Sequence, residues 1–204
     1  MSTGTLTRRP KVRRSSPKPL RLGLEDHGRP LSHAGFASAQ FDEPWRYERV
    51  QGRLIVMAPS GEGHVSHSEP FRDQLGAFKL AHPDIVERVV SEAWVFVDDG
   101  TERIADIGVY LMASKGKGRI PKRIPELVFE VVSEGSDERD YVTKRTEYER
   151  AGVREYVIVD PRRRRVTVLR RVRGGGFRET RLGPDDSYST PSLPGLRIPL
   201  AKIL

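Results

Sequence analysis

The chain of 204 residues carries 36 Lys and Arg against 28 Asp and Glu and has no cysteine, which excludes disulfides, thiolate zinc sites and a cysteine nucleophile and agrees with a reducing cytoplasm. No apolar run approaches the roughly 18 residues of a membrane-spanning helix, so a soluble protein without a membrane partner is expected. Residues 1–24 hold seven Lys or Arg and no acid, +7 of the formal +8, so the basic balance belongs to the leading segment rather than to the fold.

Residues 1–40 are rich in Arg, Lys, Ser, Pro and Gly with no sustained apolar period, and are expected to form a disordered basic tail. An Arg-rich, acid-poor start resembles an organelle transit peptide, but Pro10, Pro17 and Pro19 interrupt any amphipathic helix. Arg13, Arg14 and Lys18 are its candidate nucleic-acid contacts, nonspecific and salt-sensitive. Residues 41–204 then form one domain, long enough for a sizeable core.

Within that domain, Trp45–Val50 and Arg53–Met57 flank Gln51-Gly52 and predict a hairpin. Phe71, Leu75 and Phe78 mark the apolar face of a helix; because proline suits only a first turn, Pro70 sets its start near Ser68 or Glu69, and His82-Pro83-Asp84 ends it. Strands are predicted at 85–90, 93–97 and 103–111, with a turn at Asp98-Asp99-Gly100. After a Gly and Lys loop at 114–124 come a strand at 127–132, a helix at 139–152, a strand at 155–159 and a second hairpin around Gly174-Gly175-Gly176. This order implies an α/β (α+β) fold, a mixed sheet flanked by helices, with the strands at 127–132 and 155–159 parallel.

Two acids contradict their surroundings. Glu130 interrupts the apolar run Leu-Val-Phe-Glu-Val-Val, and Asp106 lies between Ile104 and Ile107 in another. An unpaired buried charge costs several kcal/mol, so each carboxyl must be protonated, paired or bound to a cation. Opposed side chains on neighbouring strands lie about 5 Å apart, close enough to share a hard divalent ion. Tyr141 and Tyr148, seven apart, define one face of the following helix, and Lys144 lies on it. A lysine there can stabilise a hydroxide or a phosphate; the plainer alternative is a solvated Asp140–Lys144 pair at i, i+4.

The stretches Arg-Ile-Ala-Asp-Ile-Gly-Val (103–109), Pro-Glu-Leu-Val-Phe-Glu-Val-Val-Ser (125–133) and the run from Lys144 to Pro161 resemble the Uma2 family, classed with restriction endonucleases of the PD-(D/E)XK fold. The opening at 47–59 and the ending at 193–204 resemble that family's two ends, so the likeness covers about residues 42–204. It implies a restriction-endonuclease-like core with added β-hairpins and a Mg²⁺- or Mn²⁺-dependent nuclease acting on DNA. Asp106 and Glu130 match the metal-binding acids, and Lys144 matches a lysine moved to the helix, because Val132 fills the usual position. Ala105 stands where the family usually has proline. The acid expected on the first helix is open: Glu69 is on the right element and Glu62 lies just before it, while the plainer reading of Glu69 is an acid favoured by the dipole at a helix N-terminus. His64 and His67, three apart, can ligate a metal or serve as capping residues.

Arg163 and Arg164, in the run 161–165, are candidate phosphate contacts or the solvated tip of a hairpin. Asp160 reads as a turn residue, Trp94 as core and Trp45 as packing on the first hairpin. Two rivals to an active nuclease are a nucleic-acid-binding scaffold without turnover, and an interaction protein in which the acids pair with Arg103 or Arg154. Cutting both strands of a duplex would favour a homodimer.

Overall fold

A computed structural model describes residues 19–114 and 124–204. The elements are β1 (Arg21–Leu22), α1 (His33–Ser38), β2 (Gln40–Phe41), β3 (Arg46–Val50), β4 (Arg53–Met57), α2 (Glu62–Ala81), β5 (Val86–Asp98) and β6 (Thr101–Leu111). They continue with β7 (Leu127–Val131), α3 (Lys144–Ala151) preceded by a π-helical turn at Arg139–Thr143, β8 (Glu155–Asp160), β9 (Arg165–Arg171), β10 (Phe177–Leu182), β11 (Ser187–Tyr188) and β12 (Ile198–Pro199).

Strands β3 to β10 form one eight-stranded sheet, antiparallel except for the parallel pair β7–β8. The crossover from β7 to β8 carries α3, as its strand-helix-strand pattern predicts. Alternation along β7 and β8 divides the core between the two faces. Leu127, Phe129, Val131, Val157 and Val159 pack with Phe71, Leu75 and Phe78 of α2, while Val128, Tyr156 and Ile158 pack with Tyr148 of α3. Each fully buried side chain of this kind contributes about 1.5–3 kcal/mol.

The sheet branches at β6. Its edge towards β5 is paired nearly end to end, whereas its other edge is shared: β3 pairs at Arg49–Glu102 and β7 at Ile107–Val109. In the fork between them, side chains take over the ladder. The Glu48 carboxylate accepts from the Ile104 N–H at 3.1 Å, and the Asp106 carboxylate accepts from the Val131 N–H at 2.8 Å. Gly108, beside the fork, has no room for a side chain, since a Cβ there would meet the Ala93 Cβ at 2.5 Å.

Three expectations are corrected. Residues 19–40 are not a disordered tail: β1, α1 and β2 lie over the first hairpin, burying Leu22 and Phe36 against Tyr47, Leu54, Val56 and Trp94. The segment has few apolar residues, but long-range pairing and packing make up for that low density, and Arg49 donates to the Leu31 carbonyl. Residues 1–18, with Arg13, Arg14 and Lys18, lie outside the described residues, as do 115–123. Second, α2 begins at Glu62, two turns before Pro70, and so keeps a proline inside. Proline removes a single N–H bond, to the Ser66 carbonyl, and the packed face overrides that loss. Third, β5 runs unbroken through Glu92, whose φ of +52° marks the one skipped pair opposite Asp106.

Phe36 stacks within 5.0 Å of Trp94 and 5.2 Å of Phe41, centroid to centroid. Phe36→Ala should therefore destabilise the whole domain by about 3–5 kcal/mol in denaturant unfolding. A loss below about 1 kcal/mol would mean that this segment is only loosely attached.

Candidate active site

The fork opens into a cavity of about 320 Å³ bordered by Arg46, Glu48, His64, Asp106, Glu130 and Lys144, with Val131, Ser133, Arg139 and Asp140 at its sides. Asp106 and Glu130 come from β6 and β7, His64 from the first turn of α2, and Lys144 from the first residue of α3. The structure thus brings four sequence candidates, Asp106, Glu130, Lys144 and His64, into one cavity.

Each acid has its own cation. Lys144 Nζ donates to Glu130 Oε1 at 2.8 Å, and the Tyr148 hydroxyl donates to the same oxygen at 2.7 Å. Asp106 Oδ1 lies 3.3 Å from Arg46 Nη2, and its Oδ2 lies 2.9 Å from His64 Nε2. That imidazole approach is off the line of a good hydrogen bond, while the ring's Nδ1 is 3.0 Å from Ser133 Oγ. Burial alone would raise the Asp106 carboxyl, but His64 beside it, the charge of Lys144 and the Val131 N–H hold it down at about 2. Burial, together with the negative charges of Asp106 and Asp140, pushes Glu130 up to about 7 against the attraction of Lys144.

This shift has a thermodynamic consequence. A carboxyl whose folded value is about 7 against 4.5 unfolded favours the native state fully below pH 4.5, and that contribution is lost as pH rises to 7. The difference amounts to about 3 kcal/mol. In EDTA, the wild type should lose stability across this window while Glu130→Gln stays level; parallel curves for the two proteins would refute the assignment. Asp106 acts in a separate window, losing its stabilising contribution only as pH falls from 3.8 through about 2.

The donors suit a hard cation. Mg²⁺ retains several waters and needs only one or two carboxylates, and here an ionised aspartate and a glutamate border one polar cavity. Among the described residues no group of three or more His, Cys, Asp or Glu is placed to hold a metal ion.

The other candidates lie elsewhere. His67 Nδ1 is 2.7 Å from the Ile203 carbonyl and ties α2 to the C-terminal segment. Glu69 is half-exposed, pairs with Arg72 at 3.5 Å and borders an adjoining cavity. Arg163 is engaged by Asp137 at 2.5 Å and Asp160 at 2.7 Å, and Arg164 is an exposed turn residue with φ +47°. Val132 is buried in the core beside Tyr148. Arg103 is held by Glu48 and Glu147 rather than by either central acid.

Sequence reasoning did not find Arg46, Glu48 or Asp140 as cavity residues. Arg46 and Glu48 alternate with Tyr47 and read as the wet side of a hairpin. Asp140 carried a usable signal, four residues before Lys144 and eight before Tyr148 on one face. Instead of a solvated pair, Asp140 and Lys144 are buried.

The Uma2 family, described as "Putative restriction endonuclease", matches residues 35–201. Among solved structures, a putative nuclease of the DUF820 family from Anabaena variabilis ATCC 29413 superposes with a TM-score of 0.68 at 16% identity, covering 85% of this chain and 97% of that one. No curated protein matches. Sequence match and fold agree: the chain belongs to the Uma2 family, and its fold is that of a nuclease-like relative.

Proposed function

We propose that this chain is a Mg²⁺- or Mn²⁺-dependent endonuclease that hydrolyses phosphodiester bonds of DNA. The observation that carries the reading is the meeting of Asp106, Glu130 and Lys144 in one polar cavity at the fork of the sheet. Asp106, Glu130 and the Val131 carbonyl would hold the ion. Bound there, it supplies Lewis acidity, lowering the pKa of water and offsetting charge on the leaving oxygen.

The chain's own groups do the rest. Lys144, buried and cationic, is placed to orient the attacking water or to offset phosphate charge. Arg46 and Arg139 border the same cavity and offer guanidinium donors to phosphate oxygens. His64, its Nδ1 beside Ser133 and its Nε2 2.9 Å from Asp106, borders that carboxylate, which the Val131 N–H and Arg46 orient.

The test is cleavage of supercoiled plasmid, single-stranded DNA and RNA with Mg²⁺ or Mn²⁺, beside EDTA and the double variant Asp106→Asn, Glu130→Gln. Metal-dependent nicking of DNA that vanishes in the variant is expected. Val132 in the usual lysine position favours a second reading, a DNA-binding scaffold without turnover. Salt-dependent DNA binding and metal binding without cleavage by any form would select it.

A further inference from the structure

Lys144 poses a problem for the proposed reaction. Its ammonium sits 2.8 Å from Glu130 Oε1, where it neutralises the acid that would ligate the ion. An ammonium and a divalent cation on the same carboxylate repel each other, so a second acceptor for the ammonium favours the ion's arrival. Most nearby acids are already satisfied. Glu48 Oε2 accepts from Arg103 at 2.9 Å and its Oε1 from the Ile104 N–H, and Asp106 is held by Val131, Arg46 and His64.

Asp140 differs. Its Oδ1 is buried without a hydrogen-bond partner; it lies 3.5 Å from Lys144 Nζ and 3.7 Å from Arg139 Nε, within ion-pair range of both but in close contact with neither. Its Oδ2 accepts from the Ser136 hydroxyl, which turns the empty oxygen towards the lysine. Its own carbonyl accepts from the Tyr156 hydroxyl at 3.0 Å, fixing the backbone. The π-helical turn at Arg139–Thr143 leads directly into Lys144, whose N–H reaches back to the Arg139 carbonyl, and π-helical turns inside helices are frequent at functional sites. Tyr148 would stay on Glu130 and hold that carboxylate when the lysine leaves.

We propose that Asp140 is a positioning residue that receives the Lys144 ammonium when a divalent ion takes Glu130, so that the lysine remains beside the scissile phosphate instead of competing with the ion. The inference rests on the metal-dependent reading above. In the resting state Lys144 lies on Glu130; with the ion bound, a movement of under an ångström closes the gap to Asp140 Oδ1, on the order of a hydrogen-bond adjustment.

A double-variant cycle on Mn²⁺ binding, read by calorimetry at pH 8 on the full chain, tests this separately from activity. Asp140→Asn should weaken Mn²⁺ binding about tenfold, because the lysine then stays on Glu130. Lys144→Met should bind Mn²⁺ more tightly than the wild type while losing turnover, and adding Asp140→Asn to it should change affinity less than about threefold. An equal loss from Asp140→Asn in both backgrounds would show a direct charge effect and overturn the proposal, as would no loss in either. If Lys144→Met does not fold, Ser136→Ala, which retains every charge, should still weaken Mn²⁺ binding, and unchanged affinity would refute the positioning role. No Mn²⁺ binding by the wild type would instead refute the metal reading, and the role of Asp140 with it.

Discussion

Asp106→Asn should lower plasmid cleavage by at least about a thousandfold, the scale of losing a principal electrostatic element of a phosphoryl-transfer site. The amide oxygen can still accept from the Val131 N–H, so the fork stays closed, but the charge facing the ion is gone. The carboxyl held at about 2 also stabilises the native state, so the variant should be weaker by about 2 kcal/mol at neutral pH and still folded. Initial nicking rates at pH 8, read beside circular dichroism, check both parts. Cleavage at the wild-type rate by a folded variant would remove Asp106 from the site.

The second large effect concerns Lys144. Replacing it with methionine leaves Glu130 and Asp140, both buried, without their shared cation, and breaking such a buried arrangement costs about 3–5 kcal/mol. The cost should be greatest at pH 8 and smaller near pH 5, because Glu130, pushed up to about 7, can take a proton in place of its lost partner. Cleavage should fall by a factor on the order of 10²–10³, and saturating Mn²⁺ should restore part of the stability by binding the native state. Urea unfolding at the two pH values, with and without Mn²⁺, measures this. A pH-independent loss would argue that Glu130 does not respond to the lysine.

The central acids were legible because they contradict their surroundings: a carboxylate in an apolar strand is a local inconsistency, and such inconsistencies concentrate at functional sites. Lys144 was legible through the spacing of Tyr141 and Tyr148. Arg46 and Glu48 were not, because alternation on β3 gives them the look of a solvated hairpin face; only the division of β6 between two partners buries Glu48. The start of α2 is hidden from the sequence because Pro70 favours a first turn while tertiary packing carries the helix two turns further back, and those two turns deliver His64 to Asp106. The order of segment 19–40 does not show in its composition, since Leu22 and Phe36 are too far apart to register as a period although both are fully enclosed.

The branching of the sheet at β6 also bears on how the molecule is made. Asp106 meets its neighbours only after β3 and β7, distant in sequence on either side, have both docked on one edge of β6. Contacts of such separation are slow to form because loop closure must precede them. The local β5–β6 hairpin can assemble early, yet alone it has neither Glu130 nor Lys144. A nascent or partly unfolded chain therefore lacks the acid pair, and on the proposed function the capacity to cut DNA arises only with the completed sheet.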